Sequence, residues 1–408
     1  MTDSTALSHR TQGIKQEALP VKIGAEVLMD SRLDSLKGKR VAIVANQTTR
    51  FLNGTHLVDS LLSRGINVVK VFAPEHGFRG TADAGEHVKD GVDQKTGLPI
   101  ISLYGKSRKP SQAQLSGVDH VIFDIQDVGV RLYTYISTMS YVMETCAEMG
   151  LSIEVLDRPN PNGWYVDGPV MEDKYTSFVG FHAIPVVHGM TICEYAKMVE
   201  NEASFRPEKA PKMVYTLCEN YKHDMRWEET GWPWIPPSPN LGSVKSAYLY
   251  PALVWFERTP ISLGRGTDTA FTIMGSPWFK PDMDFNQPNA RQSNPLDMVR
   301  SINFTPKSLP GKSKYPKFEN MSCAGYGFSS IPESPMLTCI HLFQRAYANY
   351  LYAHPSEPFF LKSFEKWVGN TDFKHQITEG VPANEIYDDW QNQVNEFKKI
   401  RAKYLLYP

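Results

Sequence analysis

At 408 residues and 41% hydrophobic content, the chain is long enough to bury a large core and to divide into two or three domains. Lys and Arg number 43 against 44 Asp and Glu, so no net field draws in nucleic acid or an anionic membrane, and a neutral small molecule or glycan is the better partner. Five cysteines, odd in number, far apart and never spaced Cys-x-x-Cys, indicate neither a disulfide framework nor a zinc knuckle.

Residues 1 to 20 read as a polar tail, without the basic and apolar regions of a secretory signal. Such a tail is either a native start or the mature end of an exported protein. No stretch approaches the roughly 20 apolar residues of a membrane span. Short apolar runs follow at Arg40 to Ala45, Val68 to Ala73, Ile100 to Tyr104, His120 to Ile125 and Ser152 to Leu156. Helical spacing lies between them over Thr55 to Arg64 and Leu132 to Met149, the second closing at Gly150, a plausible C-terminal cap. This rhythm predicts an α/β domain with a Rossmann-like parallel sheet over residues 21–205. Beyond it the pattern loosens, with prolines at 233, 236, 237 and 239 and again between Pro277 and Pro316. Strands near Met213 to Leu217 and Met321 to Phe328, with helices over Leu337 to Tyr352 and Glu385 to Tyr404, predict a smaller α+β domain over 206–408 that completes a cleft.

Open parallel sheets bind ligands beyond the carboxyl ends of their strands. The residues after each run are therefore the candidates. Glu75, His76 and Arg79 follow the second, in Ala73-Pro74-Glu75-His76-Gly77-Phe78-Arg79-Gly80; Pro74 stops the ladder and the glycines allow a tight turn. Glu75 is the first candidate for a catalytic acid, a reading favoured over Glu75 and His76 simply capping a helix or pairing with Arg79. Asp124, Gln126, Asp127, Arg131 and Tyr133 follow the fourth run. One of these aspartates either meets ligand or serves structure, orienting Arg131 or capping the following helix. Asp157, Arg158, Asn160 and Asn162 follow the fifth, where a structural ion pair ahead of Pro159 competes with direct chemistry. His188 precedes Thr191 and Glu194, a capping-box spacing, and is either a pocket residue or a neutral loop histidine. Ser238, Asn240 and Arg265, in loops rich in Pro and Gly, complete the set.

No dinucleotide or triphosphate glycine motif, nucleophile elbow or His-Glu-x-x-His pair occurs. The acid and amide clusters instead argue for carboxylate-driven hydrolysis of a polar, neutral substrate, with neither cofactor nor metal.

Several ordered segments sharpen this reading: Pro74-Glu75-His76-Gly77, Ser102-Leu103-Tyr104-Gly105-Lys106, Phe123-Asp124-Ile125-Gln126-Asp127-Val128-Gly129, Arg131-Leu132-Tyr133-Thr134-Tyr135 and Leu156-Asp157-Arg158-Pro159-Asn160-Pro161. With His188-Gly189-Met190-Thr191, Pro237-Ser238-Pro239-Asn240 and Gly264-Arg265-Gly266-Thr267, they resemble the bacterial exo-β-N-acetylmuramidases, long catalogued as a domain of unknown function. The resemblance runs from about residue 21 to Leu405. It implies a Rossmann-like domain joined to a smaller C-terminal domain across a cleft. It also implies release of N-acetylmuramic acid from the non-reducing end of peptidoglycan fragments in cell-wall turnover and recycling, and it matches Glu75 to the family's proposed catalytic glutamate. Many relatives carry a secretion signal, so the resemblance implies a periplasmic or extracellular site if such a signal has been trimmed, and a cytoplasmic one if this is the native start.

Glycosidic cleavage needs an acid to protonate the leaving oxygen, and Glu75 fits that role. Asp124 and Asp127 are the available second groups, while Arg79, Arg131 or Arg265 could take the lactyl carboxylate of the muramic sugar. Two other classes remain open on the residues alone: a sugar-binding protein without turnover, and a metal-dependent hydrolase built on Glu75, His76, Asp124 and Asp127. Oligomeric state is not legible.

Overall fold

The computed structural model describes residues 19–79, 90–105, 107–205, 208–209, 211–281 and 298–408, so most of the expected polar tail lies outside the described residues. The central strands are short runs of small and branched apolar residues that can be buried on both faces. Among the described residues, β1 (Val41–Ala45), β2 (Val68–Ala73), β3 (Gly91–Val92), β4 (Pro99–Ser102), β5 (His120–Asp124), β6 (Ser152–Leu156) and β7 (Lys212–Thr216) form one sheet in the order β3-β4-β2-β1-β5-β6-β7. All neighbours pair in parallel except β3 with β4. The chain works outward from β1 through β2 to β4, then returns to place β5 on the other side of β1. The ends of β1 and β5 are thus a topological switch point, where an open sheet leaves a crevice for ligand.

One expectation is corrected. The strand read near Met213 to Leu217 belongs to this sheet and not to a second one: β7 pairs in parallel with β6, Thr216 beside Leu156. It is an edge strand, only partly buried over most of its length, and so lacks the unbroken apolar run that marks the central strands.

Helices α1 (Gly24–Val27), α2 (Leu57–Ser63), α3 (Tyr135–Met149) and α4 (Ile192–Asn201) accompany the sheet. Gly150 ends α3 in the left-handed conformation, φ 67°, and Thr191 with Glu194 forms the capping box of α4. Helix α5 (Val244–Leu253) leads into a smaller unit in which β8 (Ile273–Ser276), β10 (Cys323–Phe328) and β9 (Val299–Phe304) make an antiparallel sheet in the order β8-β10-β9. Helices α6 (Pro335–Ala353), α7 (Phe364–Val368), α8 (Asp372–Thr378) and α9 (Ala383–Ala402) follow, with α6 packing against α5, α8 and α9. One buried apolar cluster runs from Phe123 through Tyr250 and Trp255 to Phe343 and Trp390, so both units share a core. Phe256 stacks on Phe343 at 3.9 Å within it.

The end of the chain returns to the large sheet. Tyr407 donates its hydroxyl to Asp157 Oδ2 (2.5 Å), the Leu406 amide meets Glu194 Oε1 (2.7 Å), and the Pro408 carbonyl accepts from the His223 amide (3.0 Å). Among the described residues no helix is long and apolar enough to cross a membrane.

Candidate active site

Glu75 stands on a turn that closes directly after β2. The Gly77 amide donates to the Pro74 carbonyl at 3.0 Å, and His76, buried, takes the left-handed φ of 71° that such a turn asks for at its third position and that glycine usually supplies. The turn holds Glu75 half-buried at the rim. Thr134, just before α3, donates its hydroxyl to Glu75 Oε2 at 3.2 Å, and the Tyr104 phenol beyond β4 lies near enough to feel the charge of the same carboxylate. Burial, and then the charge of Glu75, push the Tyr104 phenol up from its ordinary value.

The second carboxylate of this cluster is Asp127. Its Oδ2 accepts the Gly129 amide at 2.7 Å, while Oδ1 is buried without a partner among the described residues. Desolvation pushes Asp127 up to about 7. Tyr133, Tyr135 and Tyr250 each feel the charges of both Glu75 and Asp127, which puts the two acids around one buried tyrosine cluster. The Tyr133 ring lies edge-on to Tyr135 (5.0 Å) and Tyr250 (5.8 Å), and its hydroxyl makes no hydrogen bond of good geometry among the described residues. His188 completes the cluster. Its Nδ1 accepts the Met190 amide (3.3 Å), leaving Nε2 toward Asp127 at 3.9 Å, and burial pushes the ring down to about 3, so it is neutral.

Asp124 is differently employed. It is fully buried in a two-pronged ion pair with Arg158, Nε to Oδ1 at 2.6 Å and Nη2 to Oδ2 at 2.9 Å. Gln126 bridges the Asp127 and Pro159 carbonyls (2.8 and 2.7 Å). Asp157 receives Thr191 Oγ1 (2.8 Å), the Cys193 amide (3.0 Å) and Tyr407, which fastens the start of α4 and the chain end to β6. Asn160 joins the Met190 carbonyl (2.8 Å) to the Asn162 amide (2.8 Å). These residues meet along the rim, as the strand ends require, yet their polar atoms are engaged with the protein.

The arginines separate by environment. Arg79 faces two carboxylates, Asp93 at 2.6 Å and Asp59 at 3.3 Å. Arg131 is fully buried beneath four main-chain carbonyls, those of Pro169 (2.9 Å), Ile184 (2.8 Å), Trp367 (3.2 Å) and Val368 (2.6 Å), and so clasps the two units together. Arg265 spends Nε on Glu257 (2.7 Å) and remains partly exposed, with Glu75 among the charges that act on it. Ser238 and Asn240 lie on a buried segment held against the rim: Gln47 Nε2 donates to the Pro236 and Pro237 carbonyls (2.9 and 3.1 Å), and the Tyr135 hydroxyl to Pro237 (2.7 Å).

Asn46, Gln47, Tyr104, Thr134, Tyr135 and Tyr250 were not among the sequence candidates. Asn46 and Gln47 follow β1, so the strand-end rule itself would have found them. Tyr250 lies in the apolar helix α5 and carries no sequence signal that separates it from core. Among the described residues no three His, Cys, Asp or Glu converge in a way suited to a metal ion.

Comparison with known proteins agrees with this architecture. Residues 41–245 match the family model for the N-terminal part of exo-β-N-acetylmuramidase NamZ, and residues 248–407 the model for its C-terminal part. The chain is 35% identical over 392 residues to the peptidoglycan β-N-acetylmuramidase NamZ of Bacillus subtilis (strain 168), covering 95% of this chain and 91% of that protein. Two crystal structures of DUF1343 family proteins from Bacteroides fragilis NCTC 9343 superpose with TM-scores of 0.80 and 0.81, at 40% and 29% identity, each match covering 95% of this chain and 99% of the other. With both halves matched in order and nearly the full length aligned, the chain belongs to the exo-β-N-acetylmuramidase NamZ family.

Proposed function

We propose that this protein hydrolyses the β-glycosidic bond of N-acetylmuramic acid at the non-reducing end of peptidoglycan fragments, with Glu75 as the acid. The observation that carries the assignment is the Thr134 hydroxyl that orients the Glu75 carboxyl at the rim of the switch-point crevice, with the Tyr104 phenol nearby. In the reaction the Glu75 proton passes to the departing glycosidic oxygen, and a water supplies the hydroxyl that ends on the anomeric carbon. Asp127 takes the second role, since it shares the tyrosine cluster with Glu75 whereas Asp124 is committed to Arg158. Arg265 meets the lactyl carboxylate, because Arg79 is saturated by carboxylates and Arg131 by carbonyls.

Hydrolysis of a chromogenic N-acetylmuramic acid β-glycoside by the wild type and Glu75→Gln, with the N-acetylglucosamine analogue as control, tests this reading. Muramic-selective turnover that falls at least a hundredfold in a folded variant supports it. A folded wild type that binds the sugar without turnover overturns it in favour of a binding protein.

A further inference from the structure

The loop joining β9 to β10 grips Arg265 from both sides. On one side Lys317 sends its ammonium into a ring of main-chain carbonyls, those of Phe256 (3.3 Å), Glu257 (3.0 Å), Thr259 (2.8 Å) and Ile261 (3.1 Å). An ammonium has three hydrogens and no preferred plane, so it can serve four converging oxygens as a spherical cation would. This ring is the turn that carries Glu257, the partner of Arg265 Nε. On the other side Gly266, next to Arg265 and at φ +83°, lies so close beneath the same loop that an added Cβ would meet the Lys307 carbonyl at 2.5 Å and Pro316 at 2.8 Å. The Lys307 amide also donates to the Gly266 carbonyl at 2.9 Å.

No carboxylate is paired directly with Lys317 among the described residues, and the charges that face it are Glu257, Arg265 and Arg258. A surface lysine serving only solubility would not be drawn inward against two arginines. The ring therefore acts as an internal cation site filled by the protein's own side chain.

We propose that Lys317 is a positioning residue: by tying together the carbonyls of 256, 257, 259 and 261, its ammonium fixes the Glu257–Arg265 pair so that the guanidinium faces Glu75 and an anionic group on the substrate. This rests on the functional reading above and extends it, since it makes the smaller unit responsible for recognising the acidic sugar.

The experiment is chemical rescue of Lys317→Ala. Lys317 is only partly covered, so a small amine can enter the space its stem leaves. The variant should lose at least tenfold in kcat/KM on the muramic β-glycoside, mainly through KM. Added n-propylammonium should restore most of the loss, and n-propanol, of the same shape but uncharged, should not. Lys317→Met keeps the stem and removes only the charge. It should show the same tenfold loss with an unchanged circular dichroism spectrum, which keeps the test decisive if the alanine variant misfolds. Wild-type kinetics in folded Lys317→Met, or an alanine variant whose loss ignores the amine while the wild type is active, overturns the positioning role alone. A wild type without muramic-selective turnover overturns the functional reading and this one with it.

Discussion

His188 Nε2 stops 3.9 Å short of Asp127 Oδ2, too far for a hydrogen bond, and neither Nε2 nor Asp127 Oδ1 has a partner among the described residues. Burial holds Asp127 protonated up to about pH 7, while in the unfolded chain it ionises near 4. Between these values the folded form retains a proton that the unfolded form has shed. Its contribution to stability is therefore full below about pH 4 and lost as pH rises through 7, on the order of 4 kcal/mol. The stability of the wild type relative to Asp127→Asn should fall by that order between pH 4 and 8 in urea titrations. A flat difference would refute the assignment.

Arg158→Ala strands Asp124 as a buried carboxylate without its ion-pair partner. We expect a loss of roughly 3–5 kcal/mol, much larger than that of the double variant Arg158→Ala/Asp124→Ala, because most of the cost is the uncompensated charge. Equal losses in denaturant titration would show that the stranded charge is not the main cost.

Arg131→Met should cost about 3 kcal/mol or more, since it leaves the carbonyls of Pro169, Ile184, Trp367 and Val368 without their donor in a buried place. Arg131→Lys should recover little of this, as one ammonium cannot span carbonyls set around a planar fork. Protease sensitivity near residues 367–368 that stays at the wild-type level in both variants would argue against the clasp.

Arg265→Ala should weaken binding of N-acetylmuramic acid at least tenfold while changing that of N-acetylglucosamine less than threefold, as read by calorimetry. Equal losses on both sugars would remove the lactyl carboxylate from Arg265.

Much of this was legible in the chain. β2 and β6 begin and end where the apolar runs do, and the glycine cap of α3 and the capping box of α4 stand at the residues that spacing marked. Such features are local, set by side-chain periodicity and by which groups can satisfy a helix end. What sequence could not rank was the employment of like residues. Arg79, Arg131 and Arg265 look alike in a row of letters, yet one meets carboxylates, one meets carbonyls and one keeps part of its fork exposed. Asp124 and Asp127 are three positions apart and part ways because Arg158, which arrives from the end of β6, reaches only the first. β7 was misassigned for a related reason: an edge strand is defined by its neighbour, and Leu156 lies well upstream of Thr216.

The contact between Tyr407 and Asp157 spans 250 positions of chain. During synthesis the large sheet can therefore assemble its central strands early, but the carboxylate that fastens the start of α4 to β6 waits for a hydroxyl made 250 residues later. Hydrolytic competence should accordingly arrive late and abruptly on the ribosome, so that nascent chains released before Tyr407 emerges are inactive even though every rim residue has already been made.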